Sequence, residues 1–120
     1  MAKILLAEDD PSMLNFLEIA LRRAGHDVLP ASDGLEALEV LEDGEEFDLL
    51  LTDIVMPGID GIELAQKAMQ IQPDLKVMFI TGFAAMAVST HREEMKNTKL
   101  LSKPFHLSDL VSQIEEILAT

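Results

Sequence analysis

Short apolar runs alternate with stretches of helical period along this chain. "KILLA" (Lys3 to Ala7) stops at the acids "EDD" and, after Pro11 and Ser12, gives way to "MLNFLEIALRRAG". In that stretch Met13, Phe16, Leu17, Ala20, Leu21 and Ala24 recur at spacings of three and four. The first run predicts a strand and the second an amphipathic helix, closed at Gly25 by a left-handed residue. "HDVLPA" predicts a weaker second strand, and Ser32 and Asp33 can cap a helix over "GLEALEVLED". In "EEFDLLLTD" the leucines at 49, 50 and 51 are consecutive rather than alternating. Consecutive apolar residues imply a strand buried on both faces.

The second half repeats the scheme. Helix "GIELAQKAMQI" ends near Pro73, strand "KVMFI" ends at "TGF", and the short run "KLLS" precedes a last helix, "LSDLVSQIEEIL". Between them, Ala84 to Thr98 has poor helical period, with Val88, Ser89 and Thr90 in a row, so a short or mobile segment is expected there. Strand and helix alternating five times, with helix-length connections, specify a parallel sheet covered on both faces by right-handed crossovers. The expected class is a doubly wound α/β domain over residues 1–120, with no repeat or linker and no output domain.

Composition narrows the function classes. The chain has 120 residues, enough for one domain with its own core. It has no cysteine, which excludes a disulfide framework and a thiolate metal site and fits a reducing compartment. No apolar run is long enough to span a bilayer, and the acids in "MAKILLAEDD" interrupt any signal-peptide core, so a cytoplasmic location is expected. Nine basic residues against 22 acidic ones leave a net charge of −13, which argues against binding nucleic acid or an anionic membrane. The absence of Trp and Tyr removes the usual stacking platform for bases. Protein partners remain.

In open parallel sheets ligands bind at the carboxyl ends of the strands. There the first strand ends in Glu8, Asp9 and Asp10, the third in Asp53, the fourth in Thr81, and the fifth in Ser102 and Lys103, followed by Pro104. Singly, each has a plain explanation: an acid that caps the next helix, a threonine in a turn, a solvated lysine. Jointly they place acids, a hydroxyl and a lysine on one edge. Three carboxylates about 5 Å apart repel by roughly 3 kcal/mol per pair at an effective dielectric of about 20, a total near 10 kcal/mol. That rivals the stability of a small domain and calls for a proton or a cation. An all-oxygen site with few protein ligands suits Mg²⁺. A phosphoryl group would supply further oxygens to the metal, and the lysine and threonine could hold the rest.

These residues resemble the receiver domains of two-component response regulators. The matching motifs are "ILLAEDDPSM", "LLLTDIVMPGIDGIEL", "VMFITGFAA" and "LSKPFHLSDL", in order and at family-like spacings over essentially the whole chain. Within the family the sequence looks most like CpdR-type single-domain regulators. The resemblance implies a five-stranded flavodoxin/CheY-like sheet of order 2-1-3-4-5. It implies that Asp53 is the phosphoacceptor and that Glu8, Asp9, Asp53 and the backbone carbonyl of Val55 hold Mg²⁺, Glu8 through a water. Thr81 becomes the switch hydroxyl and Lys103 the phosphate-binding lysine. Asp10 falls outside the metal's ligands, Pro57 and Gly61 match the loop after the phosphoacceptor, and Pro104 matches the proline that aims the lysine. The implied donor is a histidine kinase or histidine phosphotransfer protein, and the implied output is an adaptor role in ClpXP proteolysis, by a monomer or weak dimer. Such a module is not an enzyme beyond its own phosphotransfer and dephosphorylation.

Some positions depart from the family pattern. Leu100 stands where receivers usually carry an aromatic switch residue, so the ring-rotation part of the switch is expected to be missing. Val55 and Phe83 offer no polar group to steer a hydrolytic water, which predicts slow dephosphorylation. His106 stands where a helix-capping Asp or Ser is expected, with Asp109 three residues on. His91 reads as solvated, His26 as a residue just past a helix, and the methionines as core filling, with Met86 available to a contact surface.

Enzymes of similar topology fit less well. A haloacid-dehalogenase phosphatase needs an Asp-x-Asp pair where "EDDP" stands, and a flavodoxin needs a Ser/Thr/Gly-rich loop there. A binding module that works without phosphorylation leaves the intact acidic set unexplained. A receiver that shuttles phosphate between other proteins is indistinguishable from an adaptor at this level.

Overall fold

A computed structural model of the chain describes residues 2–81, 98–102 and 106–119. The elements begin and end at the punctuation of the sequence: β1 Lys3–Ala7, α1 Pro11–Arg23, β2 Asp27–Ala31, α2 Gly34–Glu42, β3 Leu49–Asp53, α3 Gly61–Ile71, β4 Lys76–Thr81, β5 Thr98–Ser102 and α4 Leu107–Leu118. Carboxylates start three of the helices. Asp10 accepts a hydrogen bond from the N–H of Ser12, Asp33 from that of Glu36, and Asp60 from that of Glu63. Each side chain thereby satisfies an amide that the helix itself cannot pair. Ser32 acts differently from a cap, donating its hydroxyl to Glu36 at 3.1 Å. Gly25 takes the expected left-handed conformation, φ 94°, just past α1.

The sheet is parallel, with β1 flanked by β2 and β3, and β4 beyond β3. This is the α/β class and the 2-1-3-4 order that the resemblance implied. β5 lies alongside β4, Val77 opposite Thr98 and Thr81 opposite Ser102. Every residue of β3 is buried, as consecutive leucines require. Leu50 faces a cluster with Leu41, Phe47, Leu64, Leu75 and Phe79. Leu49 and Leu51 face the opposite layer, with Leu17, Leu21, Met78, Leu110 and Ile114. Helices α2 and α3 cover the first layer, α1 and α4 the second.

One expectation about α1 is corrected. Leu17, Ala20 and Leu21 are buried, but Phe16 is 50% exposed and Ala24 is exposed too. Spacings of three and four, extended over six residues, trace a stripe wider than the contact that one sheet and one neighbouring helix can cover. The end of α1 is tied down by a polar contact instead, Arg22 donating to the carbonyl of Val28 at 2.7 Å. The segment from Ala84 to about Thr98, with His91 and Met86, lies largely outside the described residues. Among those described, no helix is long and apolar enough to cross a membrane.

Candidate functional site

Two strands that stop side by side bring the acids together. β1 ends at Ala7 opposite Thr52 of β3, so Glu8 and Asp9 emerge next to Asp53. Oxygens of Glu8, Asp9 and Asp53 all lie within 4.8 Å of one another. Glu8 and Asp53 are buried, 1% and 9% exposed, whereas Asp9 reaches solvent. Asp10 stands apart, its carboxylate on the N–H of Ser12 at 3.0 Å and its own N–H on Glu8 Oε2 at 3.1 Å. It caps α1 and orients Glu8. The donors are all carboxylate oxygens, a hard, compact set that fits Mg²⁺ with several positions left for water or a phosphoryl group.

The chain after Asp53 is held close. Asp53 accepts the Thr52 hydroxyl on its backbone carbonyl at 2.9 Å, and the Ile54 N–H donates to the carbonyl of Ile80 at 3.3 Å. The carbonyl of Ile54 in turn accepts the Gly61 N–H at 2.7 Å. A Cβ on Gly61 would collide with the Asp53 carbonyl, so only glycine lets α3 begin this near to the strand. Val55 is 51% exposed between these fixed points. Its side chain offers nothing polar to the site, in keeping with the sequence reading.

Of the other expected site residues, Thr81 ends β4, two strands from β1 across the acidic edge. Leu100 lies within β5, and Lys103 and Pro104 fall outside the described residues, as does Phe83. His106 is the N-cap of α4 and makes no side-chain hydrogen bond to the helix. His26 accepts the N–H of Ala2 on Nδ1 at 3.2 Å, a structural contact at the amino edge of the sheet. Sequence reasoning passed over Thr52. Its signal was a hydroxyl in a strand otherwise leucine up to the acid.

The amino edge is built differently. An open groove of about 880 Å³ runs there past Lys3, Phe47, Asp48, Gln72 and Lys76. The Gln72 side chain accepts the N–H of Phe47 at 3.0 Å and donates to the carbonyl of Glu45 at 2.6 Å, pinning the loop that leads into β3. Lys3 pairs with Glu45 at 2.9 Å and lies 5.1 Å from the centre of the Phe47 ring. This edge carries mixed charge and no cluster of acids within ligand distance among the described residues.

Residues 4–115 match the response regulator receiver domain. The response regulator receiver protein CpdR of Brucella abortus (strain 2308) is 56% identical over 118 residues, which cover 98% of this chain and 98% of that protein. The crystal structure of a CheY-like receiver domain protein from Methanospirillum hungatei JF-1 superposes with a TM-score of 0.92 at 31% identity, over 99% of this chain and 94% of that one. That of the response regulator TrrA from Thermotoga maritima, in complex with Mg²⁺ and BeF, does so with a TM-score of 0.81 at 28% identity, over 98% and 99%. Receiver domains are signalling modules rather than classical enzymes. They bind Mg²⁺ at an acidic pocket of the kind formed here by Glu8, Asp9 and Asp53, and they take phosphoryl groups from histidine kinases or phosphotransfer proteins. By fold, by acidic pocket and by sequence over nearly its whole length, the chain belongs to the response regulator receiver domains.

Proposed function

We propose that this chain is a single-domain response regulator in which Asp53 accepts a phosphoryl group from phosphohistidine. The observation that carries the reading is the carboxylate trio, with a buried Asp53 at the end of a central strand and oxygens of Glu8 and Asp9 within 4.8 Å. An Asp53 carboxylate oxygen attacks phosphorus, the phosphorus–nitrogen bond of the donor breaks, and its electron pair returns to the imidazole. Glu8, Asp9, Asp53 and the Val55 carbonyl would hold Mg²⁺. When bound, the ion offsets the mutual repulsion of the acids and the charge of the phosphoryl oxygens.

Thr81 and Lys103 take the remaining phosphoryl oxygens. This reading uses the five-stranded order 2-1-3-4-5, with Lys103 following β5. The acyl phosphate adds nearly two negative charges at the edge, draws Thr81 and Lys103 inward and shifts the surface formed by β5, α4 and the segment before β5 from one state to another. With Leu100 in place of an aromatic residue, that shift runs without a ring rotation. The output is a protein-binding surface, and we assign it to an adaptor role in ClpXP-dependent proteolysis, supported by the likeness to CpdR over 98% of both chains.

The decisive experiment is mass spectrometry of the intact protein after incubation with a small phosphodonor, with and without Mg²⁺. The expected result is an adduct of one phosphoryl group that requires Mg²⁺ and is lost in Asp53→Asn. An adduct indifferent to either would overturn the proposal. A pull-down comparing the two phosphorylation states against ClpX then tests the adaptor role, and equal or absent capture in both would reject it.

A further inference from the structure

Thr52 is the one polar side chain of β3 ahead of Asp53, and it is completely buried. It lies on the same side of the strand as Leu50, towards the layer that holds Met56 and Leu64. A valine would fill the same space. A buried hydroxyl costs free energy unless its hydrogen is used, and Thr52 uses it on the carbonyl oxygen of the very next residue, Asp53, at 2.9 Å. Its oxygen also lies 4.0 Å from Met56 Sδ, on the far side of the loop.

That carbonyl belongs to a peptide unit fixed from several directions. Gly61 presses against its oxygen, and the Ile54 N–H at its other end is held by Ile80 at 3.3 Å. The next carbonyl, of Ile54, is held by Gly61 at 2.7 Å. On one side of this unit stands the Asp53 carboxylate. On the other, one residue along, stands Val55. Metal sites depend on such outer contacts to hold their ligands in register, and loss of one typically lowers metal affinity ten- to a hundredfold.

We infer that Thr52 is a positioning residue: its hydroxyl fixes the peptide plane that follows Asp53 and so sets the distance between the Asp53 carboxylate and the Val55 carbonyl. The inference rests on the proposed reading of these two groups as Mg²⁺ ligands. Thr52 touches neither metal nor phosphoryl group. It acts through the backbone.

The test compares Thr52→Val, Thr52→Ala and Thr52→Ser by calorimetric titration of the full chain with Mg²⁺, alongside urea unfolding of each in the metal-free state. Serine and alanine differ by one hydroxyl, so the pair remains informative if the valine variant does not fold. Valine and alanine are expected to weaken Mg²⁺ binding about tenfold or more, and serine to stay within about twofold of wild type. Weakening that follows the loss of stability, with serine and alanine alike, would overturn the inference, as would a valine variant that binds as wild type does. Asp53→Asn is titrated in parallel. Wild-type binding that ignores Asp53 overturns the site reading and this inference together, whereas binding that needs Asp53 but ignores Thr52 overturns this inference alone.

Discussion

The Cα of Gly61 rests against the carbonyl oxygen of Asp53, with no space for a side chain between them. The first turn of α3 is thereby locked to the strand that carries the proposed phosphoacceptor. Gly61→Ala forces either the helix or the strand end to move, since the neighbouring atoms are backbone and cannot rotate away. The expected cost is about 1–3 kcal/mol or more, by analogy with overpacked cores. Urea unfolding measures it, and a cost below about 0.5 kcal/mol would show that the loop yields freely.

Asp9 and Asp10 are neighbours with separate tasks. Asp10→Ala removes the cap of α1 and should cost about 1 kcal/mol while leaving a Mg²⁺ site behind. Asp9→Asn should leave stability nearly unchanged, or raise it by relieving repulsion, and abolish Mg²⁺ uptake. Paired unfolding and titration experiments distinguish the two, and a reversed pattern would mean that the acids have been assigned the wrong way round.

Mg²⁺ should stabilise the folded chain by mass action. At a concentration a hundredfold above its dissociation constant the gain is about 2.7 kcal/mol. Asp53→Asn should lose most of that increment at the same concentration. Thermal unfolding with and without Mg²⁺ reads both, with Ca²⁺ as a second hard cation for comparison.

His106 occupies an extended N-cap conformation, φ −88° and ψ 146°, without making a cap bond. His106→Ser supplies an oxygen in that position, with Asp109 following in the first turn. A gain of about 0.5–1 kcal/mol is expected in urea unfolding. Unchanged stability would indicate that the imidazole already contributes as much through other contacts.

At the amino edge, Gln72→Ala removes two hydrogen bonds to the loop before β3, at 3.0 and 2.6 Å. The expected loss is about 1–3 kcal/mol. Because Gln72 lies at the opposite end of the sheet from the acids, Mg²⁺ affinity should remain within about twofold. A larger drop in affinity would reveal coupling across the whole length of the strands.

The parts of the fold legible in the sequence are those written locally. Asp33 marks a helix start because a cap needs only a short side chain three residues from the amide it serves. The leucines at 49–51 announce double coverage without any knowledge of what covers them. The acids of the site were legible for a related reason, since each ends a predicted strand and a parallel sheet gathers such ends on one edge. The exposure of Phe16 was not, because the width of a helix's buried face is set by its neighbours rather than by its own period. Nor were the Gln72 clamp and the Arg22 contact to Val28, which join residues through the fold and leave no trace in spacing.

The run of buried leucines in β3 has a further consequence for how the chain finds its register. In a strand with one wet face, a slip by one residue turns every apolar side chain outward and is rejected at once. Here a slip exchanges leucine for leucine and incurs no such penalty. The rejection must come from the ends. Asp48 is fastened before the strand, its N–H on the carbonyl of Lys3 at 2.8 Å, its carboxylate on the Lys3 N–H at 2.8 Å, and its carbonyl on the Lys76 N–H at 3.3 Å. Sliding the strand one way drags this anchored acid between the layers, and sliding it the other way draws Asp53 down among the leucines. The two aspartates bracket the strand as stops, so the carboxylate proposed to receive a signal in the finished protein also tells the folding chain where its central strand must end.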